Sequence, residues 1–258
     1  MRSASAPRRA DIAAAAVATA FAAAALSSAA HAQPTGGATF APTSAVVAIV
    51  KVPKPWYAPR ALVTSKMRDT IPQYDSIPGL AFKAYSFAQA DGAFGGVYLW
   101  KDLGSARAFY GPAWFERVER ERGVKGEVRF LEVPVAVDAV AGGTPLDANS
   151  PSVATLVLAP APVGADRARL VKDFEAAIPA DRQVPGLLRK YDVLADDGRY
   201  GALYLWKDAA SARQGLADGG AARGGRAGEA GGVTVEWFDT PILLPTRLAG
   251  NVPAVPGL

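Results

Sequence analysis

The sequence predicts an α+β protein made of two β-α-β-β-α-β repeats whose sheets pair within one chain. A stretch is duplicated: residues 77–102 read IPGLAFKAYSFAQADGAFGGVYLWKD, and residues 184–208 read VPGLLRKYDVLADDGRYGALYLWKD. A constant spacing relates the two halves, since prolines recur 107 positions apart, as in Pro53 and Pro160. The hydrophobic pattern also changes between strand-like and helix-like periods in the same order in both halves.

Each half opens with a strand and a helix. Residues 44–52, SAVVAIVKV, and residues 153–159, VATLVLA, are continuous apolar runs typical of buried strands. Apolar residues four positions apart then predict a core-facing helix, which we expect a proline to end in each half. These residues are Val63, Met67 and Ile71 before Pro72, and Leu170, Phe174 and Ile178 before Pro179.

The duplicated stretch predicts a β-hairpin in each half, with Asp-Gly turns at 91–92 and 197–198. Trp100 and Trp206 are 106 rather than 107 positions apart. The missing residue belongs in the turn, because a one-residue slip within a strand would exchange its two faces.

The halves diverge after the hairpin. Residues 102–123, DLGSARAFYGPAWFERVERERG, predict two helical pieces that meet at Gly111-Pro112 and end at Gly123. Residues 214–232 carry eight glycines. Because each interior glycine costs about 0.8–1 kcal/mol of helix propensity, we expect a short or frayed second helix there.

A last strand closes each half, at residues 127–137 and 234–244. Each strand contains a proline, Pro134 or Pro241, which suits an edge position or the exit of a strand.

Each half therefore has the ferredoxin-like arrangement, with both helices on one face of a four-stranded sheet. The opposite face is apolar, because valine and leucine alternate with aromatic residues in the hairpin strands; these are Val97, Leu99, Leu203 and Leu205. We expect the two sheets to lie face to face as an intramolecular α/β barrel, a monomeric pseudo-dimer. The repeats would span residues 44–138 and 151–248, with a linker at 139–150.

Residues 1–32 predict a signal peptide. Three arginines precede an uncharged alanine-rich segment at 12–26, and Ala30-His31-Ala32 forms a cleavage site. A signal anchor is the alternative, but alanine is only weakly apolar for a membrane span. We expect a periplasmic or secreted protein that begins at Gln33 and has no membrane attachment after cleavage.

Composition excludes several kinds of chemistry. The chain has no cysteine, and its one histidine, His31, lies in the predicted signal peptide. Ser-His-Asp and Cys-His catalysis, Cys/His zinc sites and histidine-ligated haem are therefore excluded. No phosphate-binding motif occurs. The net charge is +4, and no cluster of lysine and arginine is interleaved with aromatic residues. We therefore do not expect nucleic acid as a partner. We expect no cofactor and no metal.

The remaining candidates for a site are one lysine and several aromatic residues of the first half. Strand alternation places the candidates of the hairpin on a common side if the faces of its two strands coincide. An aromatic-walled pocket with one ammonium group would then lie between the sheet and the helices. The candidates are Lys83, Tyr85, Tyr98 and Trp100 on the hairpin, and Tyr110 and Trp114 on the following helix.

Structural interpretations of the same residues stand beside this one. Tyrosine and tryptophan on strands are commonly core or interface residues. The repeated Lys83 and Lys190 are also typical of edge charges that discourage aggregation. Lys101-Asp102 and Lys207-Asp208 indicate strand-end charges and helix caps.

Residues 44–138 resemble the YdhR-like monooxygenases of the dimeric α/β-barrel superfamily, through IPGL…K…GGVYLW, AFYGPAWFERV and VRFLEVPVAVD. The second half matches at PGLLRKY, GALYLWKD and FDTPI and lacks the FYxPxW-like helix. That family pairs one-repeat subunits, so the resemblance implies the same barrel inside one chain.

The resemblance also implies cofactor-independent oxidation of a small aromatic or quinol-like compound by O₂, in a dry site that supplies a base and charge stabilisation. Lys83 would hold the substrate anion, Tyr85 would donate or relay a proton, and the other four aromatic residues would bind the substrate. A lysine, tyrosine or carboxylate with a strongly shifted pKa would have to serve as the base.

The rival hypothesis is a non-catalytic exported binding or scaffold protein. The duplication, the loss of one second helix and the export signal favour it. Under either hypothesis we expect the ligand site in the first half, because Phe109, Tyr110, Trp114 and Phe115 can roof it, whereas glycines occupy the matching region.

Overall fold

The computed structural model describes residues 44–74, 76–139, 152–220 and 232–244. The strands are β1 (Ala45–Val52), β2 (Leu80–Ala88), β3 (Phe94–Trp100), β4 (Glu127–Asp138), β5 (Ser152–Pro160), β6 (Leu187–Leu194), β7 (Arg199–Trp206) and β8 (Thr234–Leu244). The helices are α1 (Arg60–Asp69), α2 (Ile71–Tyr74), α3 (Leu103–Phe109), α4 (Pro112–Arg122), α5 (Arg167–Asp181) and α6 (Ala209–Gly215), and a π-helical turn follows at Leu216–Gly220.

The eight strands form one closed antiparallel barrel, in the order β1-β3-β2-β8-β5-β7-β6-β4. Strands of the first half are contiguous in this order, as are those of the second. The two sets meet at two seams: β2 pairs with β8, where Lys83 is opposite Leu244, and β4 pairs with β6, where Lys190 is opposite Val137. The predicted α+β class and the barrel are confirmed.

The barrel interior is the larger apolar core. Strands from both halves contribute to it, and the four residues expected on the apolar hairpin faces are among its members: Val97, Leu99, Leu203 and Leu205. A second core lies between the outer face of the first-half strands and helices α1 to α4, with Met67, Trp100 and Val118 buried in it. The candidate site belongs to this second core.

Two prolines do not end their helices as predicted. Helix α1 ends at Asp69, and Pro72 lies in the first turn of α2, where its missing N–H is not needed. Helix α5 continues through Pro179 to Asp181. The predicted stop at Pro179 is wrong because this proline lies in the last turn, where its missing N–H removes a single helical hydrogen bond.

The strand prolines were also predicted at the wrong kind of position. Pro134 and Pro241 lie inside β4 and β8 rather than at an edge or an exit. Next to each proline the pairing across the seam shifts register, between Glu132 and Val135 in β4 and between Asp239 and Ile242 in β8. A bulge leaves a backbone group outside the ladder, so a residue without an N–H fits there.

The connections after the hairpins follow the predictions. Helices α3 and α4 meet at Gly111-Pro112, and Gly123 ends α4 with φ 66°. Asp102 and Asp208 cap α3 and α6 by accepting hydrogen bonds from the backbone N–H of Ser105 (2.6 Å) and Ser211 (2.7 Å). Helix α6 is short, as expected.

The predicted signal peptide, residues 140–150 of the predicted linker and the residues beyond 244 lie outside the described residues. Among the described helices, none combines the length and hydropathy that a membrane crossing requires.

Candidate functional site

Lys83 lies near the middle of β2, opposite Tyr98 of β3. Its side chain leaves the barrel wall on the helical side and is completely buried. Tyr85 and Tyr98 extend to the same side, so the structure brings together the two hairpin faces that the sequence suggested.

Three tyrosine rings surround the side-chain nitrogen of Lys83, and we call these four residues the tyrosine cage. The Nζ atom lies 3.1 Å from the centroid of the Tyr74 ring, 3.6 Å from that of Tyr85 and 4.8 Å from that of Tyr98. Among the described residues, no hydrogen-bond acceptor meets this nitrogen.

Burial lowers the pKa of Lys83 well below its ordinary value of 10.5. The energies involved favour this direction. Removing an ammonium ion from water costs several kcal/mol even after relaxation. A ring face returns about 2 kcal/mol or more when the contact is desolvated. The rings carry no charge and supply no carboxylate or carbonyl acceptor, so the net effect of burial is to shift Lys83 toward the neutral amine.

Two cage hydroxyls, those of Tyr74 and Tyr98, and the neighbouring hydroxyl of Tyr110 have pKa values that shift upward. Burial, followed by the nearby hydroxyls of Tyr74, Tyr110 and Tyr85, raises the pKa of Tyr98 well above its ordinary value. Burial also raises the pKa of Tyr74 and of Tyr110. These phenols stay protonated at neutral pH and can act as proton donors.

Thr70, the residue that caps α1, fixes Tyr85. Its hydroxyl donates to the carbonyl of Met67 at 2.7 Å and lies 2.7 Å from the hydroxyl of Tyr85. Because the single hydroxyl proton of Thr70 is already donated, Tyr85 donates to Thr70. This bond holds the Tyr85 ring beneath the lysine.

The other predicted site residues form a layer outside the cage. The Trp100 ring packs 6.5 Å from that of Tyr98, and the Tyr110 ring meets Tyr98 edge-on at 5.7 Å. Trp114 contacts Tyr110 edge-on at 5.4 Å and so is joined to the cage through it. A Cβ atom added at Gly126 would lie 2.8 Å from the Trp114 ring, so this glycine makes room for the indole.

Sequence reasoning missed Tyr74 and Thr70. Tyr74 continues the helical stripe three positions after Ile71, but Pro72 between them had indicated a stop. The repeat held a second signal, because the residue 107 positions after Tyr74 is Asp181, a polar residue on an otherwise apolar stripe.

The corresponding lysine of the second half has different neighbours. Lys190 is also buried, and its Nζ lies 2.7 Å from Asp181 Oδ2 and 2.8 Å from Asp192 Oδ1. Asp181 follows Tyr74 by 107 positions, and Asp192 follows Tyr85 by the same interval. Two carboxylates therefore stand where the cage has two tyrosines.

The carboxylates reverse the electrostatics of the second lysine. Burial opposes the charge of Lys190, but Asp192, Tyr204 and Asp181 outweigh it and raise the pKa of Lys190. The interpretation of Lys83 and Lys190 as edge charges is wrong, since both side chains are buried. Only Lys190 lies in a setting that keeps it charged.

The burial of the Asp192 carboxylate is only partly compensated by Lys190. Burial raises its pKa to about 6 in spite of Lys190, and its Oδ2 atom has no hydrogen-bond partner among the described residues.

Comparisons with known proteins give a fold and no family. No family model and no curated protein matches the chain. Among solved structures, a "putative monooxygenase" from Lactobacillus acidophilus is similar with a TM-score of 0.54 and 12% identity, over 79% of this chain and 97% of that chain.

Two further solved structures agree with this fold. A "putative monooxygenase" from Fusobacterium nucleatum has a TM-score of 0.57 and 10% identity, over 80% of this chain and 95% of that chain. An anthrone oxidase-like protein has a TM-score of 0.50 and 12% identity, over 83% and 97%. At these identities the similarity extends to the fold alone.

Proposed function

We propose that this protein oxidises a small aromatic, quinol-like compound with O₂ at the tyrosine cage, without a metal or an organic cofactor. The observation that supports this function is Lys83, a buried amine with a depressed pKa and no carboxylate partner among the described residues. Cofactor-free oxidation begins with removal of a proton from the substrate, and a general base works best when its pKa lies near the working pH. Burial moves the pKa of Lys83 in the direction that this requirement asks for, in a chain without cysteine.

The reaction balances without an added reductant. For an aromatic substrate with an activated CH₂ group, Lys83 Nζ takes one C–H proton and leaves a delocalised carbanion. This anion passes electrons to O₂ and forms a C–O bond, and the Lys83 ammonium returns its proton to give a hydroperoxide. Loss of the second C–H proton then breaks the O–O bond, so that the substrate ends as a ketone and the other oxygen leaves as water.

The cage suits the charges that develop in this sequence. When Lys83 is protonated, the three ring faces and the substrate anion stabilise the ammonium group. The protonated hydroxyls of Tyr74, Tyr98 and Tyr110 are available to donate to the anion. The surrounding apolar core keeps water away from the carbanion.

Substrate access requires side-chain movement, because Lys83 is enclosed in this structure. Trp114 lies at the outer side of the aromatic layer, beside the half-exposed Phe115. We place the entrance at this helical roof.

The fold neighbours suggest which compounds to test first. Two are named as monooxygenases, and one is an anthrone oxidase-like protein. Anthrone carries the activated CH₂ group that the mechanism requires.

Oxygen uptake by the purified protein tests the function. With a metal chelator present, we expect the protein to consume one O₂ for each anthrone converted to anthraquinone, and Lys83→Ala to lose this activity. Lys190→Ala is the matched control and should retain it if the variant stays folded. No protein-dependent uptake with anthrone or a panel of hydroquinones would overturn the proposal.

A second candidate is a non-catalytic small-molecule-binding protein. The complete enclosure of Lys83 favours it, because a closed aromatic cage retains a ligand as readily as it transforms one. Binding of the same aromatic compounds without O₂ uptake or conversion would select this candidate.

We also propose that the two halves are copies of one ferredoxin-like unit that pair as a monomeric pseudo-dimer. Corresponding seam contacts support this: Lys83 faces Leu244 and Lys190 faces Val137, each member 107 positions from its counterpart. A sedimentation mass of two chains under dilute conditions would contradict it.

We further propose export with cleavage after Ala32, on the basis of the leader sequence. The intact mass of protein isolated from the periplasm or medium tests this, and retention of residues 1–32 would reject it.

A further inference from the structure

We propose that Lys83 binds uncharged aromatic aldehydes or ketones covalently, as an imine, and that Lys190 does not. This activity goes beyond the proposed oxidation and does not depend on it, since imine formation needs no O₂.

The first argument is the availability of the lysine lone pair. An amine attacks a carbonyl carbon only when it is unprotonated, and lysines that form imines are commonly desolvated in apolar surroundings. Lys83 Nζ is fully buried, is in contact with ring faces and meets no hydrogen-bond acceptor among the described residues. No ion pair of the described chain keeps it charged.

The second argument concerns the proton and the water. Attack by Lys83 gives a carbinolamine, R₂C(OH)–NH–Lys, and loss of its hydroxyl as water gives R₂C=N–Lys. The departing hydroxyl needs a proton donor, and Tyr98 and Tyr74 keep their phenolic protons at neutral pH. An apolar surrounding also opposes the reverse hydrolysis, because it excludes water.

The third argument defines the chemical class of the ligand. The walls around Nζ are aromatic, so a flat ring gains stacking and edge contacts with Tyr98, Tyr110 and Trp100. Arg117 acts on Tyr74 from outside the cage, but a carboxylate buried beside the neutral Lys83 imine would still lose its hydration without an ion pair inside the cage. Benzaldehyde should therefore bind, whereas glyoxylate, a charged aldehyde, should not.

Lys190 is an internal control at the corresponding position of the same molecule. It is buried to a similar extent, yet it forms ion pairs with Asp181 and Asp192 that hold its proton. Burial alone would make the two lysines equally reactive, whereas the carboxylates predict that only one reacts.

Reductive trapping tests the inference. Full-length protein is incubated at pH 7 with benzaldehyde and sodium cyanoborohydride, which reduces an imine to a stable secondary amine, and the labelled lysines are identified by peptide mass spectrometry. We expect Lys83 to be labelled at least ten times faster than Lys101, whose side chain is 48% exposed, and Lys190 to remain unlabelled. Glyoxylate should label Lys83 no faster than Lys101.

Equal labelling of Lys83 and Lys190 would overturn the inference, and so would labelling of Lys83 at or below the rate of Lys101 in both the wild type and Trp114→Ala. Trp114→Ala opens the roof, so a slow wild-type rate at Lys83 that rises above the rate of Lys101 in this variant supports the inference. Asp181→Asn/Asp192→Asn removes both carboxylates and should make Lys190 reactive. Oxygen uptake measured on the same samples separates the two proposals: uptake without an adduct contradicts the imine alone, and an adduct without uptake contradicts the oxidation alone.

Discussion

The side-chain nitrogen of Lys83 lies 3.1 Å from the centre of the Tyr74 ring. In the second half, Asp181 takes the place of this tyrosine and forms an ion pair with Lys190. Asp192 likewise takes the place of Tyr85, so the exchange of two rings for two carboxylates gives the two buried lysines opposite shifts in pKa.

Lys83→Met should stabilise the protein at pH 7, by about 1–3 kcal/mol, because it removes a buried nitrogen without a hydrogen-bond acceptor and keeps the apolar stem. Lys190→Met should cost about 3–5 kcal/mol, because it leaves Asp181 and Asp192 buried without their cation. Urea unfolding of both variants measures the difference. Equal destabilisation by the two substitutions would show that the two lysines have the same role.

Lys83 should also produce a pH-dependent stability. Its pKa is lowered in the folded state, so the unfolded chain binds more protons up to about the ordinary value of 10.5. The free energy of unfolding should therefore rise with pH between the lowered pKa and that value, relative to Lys83→Met. Parallel curves for the two proteins from pH 6 to 10 would contradict the depressed pKa.

Asp192 should make the free energy of unfolding depend on pH in the acid range. Its folded pKa of about 6 exceeds the ordinary 3.8, so the folded state binds the additional proton between these values. Its contribution to the free energy of unfolding should fall as the pH rises from 3.8 to 6. Asp192→Asn should remove this loss, which chemical denaturation at pH 4.5 and pH 7 can measure; Asp91→Asn, at an exposed turn, is the control.

Tyr98→Phe should lower oxidation of anthrone by about 10²-fold, the lower end of what a positioned proton donor contributes, while its ring continues to pack on Trp100. Tyr204→Phe makes the same change beside Lys190 and should leave the rate within a factor of two. Steady-state kinetics with matched thermal melts test the pair. Equal losses would indicate two equivalent sites and contradict the predicted asymmetry.

Gly126→Ala should displace Trp114, because the new Cβ would lie 2.8 Å from the indole ring. We expect a loss of about 1–3 kcal/mol in stability, typical of overpacking, together with weaker substrate binding. Gly111→Ala is the matched control, since its Cβ would meet its nearest atom at 3.6 Å. A Gly126→Ala variant as stable as this control would contradict the close packing of Trp114 on Gly126.

The α+β class and the order of strands and helices were predictable from the sequence. The hydrophobic periodicity is a local signal for each element, and the 107-residue spacing, as between Pro53 and Pro160, repeats that signal in the second half. The positions of Pro134 and Pro179 could not be predicted in this way. A proline fits inside a strand or helix only where its missing N–H is not needed, and that depends on which hydrogen bonds the neighbouring strand or turn forms. Strand alternation predicted that Lys83 and Tyr98 lie together. It could not predict that Tyr74 joins them, because Tyr74 reaches Lys83 only through the break between α1 and α2.

The closure of the barrel has a consequence for biosynthesis. Strand β2 gains its second neighbouring strand only when β8 has been synthesised. Until then Lys83 lacks its partner across this seam, Leu244. In a nascent chain that stops after β4, β2 still pairs with β3 and β4 with β1, but the outer edges of β2 and β4 are open and one apolar sheet face is bare. Such edges pair readily with other chains. A fragment of residues 44–138 should therefore self-associate, and the intact protein should complete its fold only after synthesis of β8.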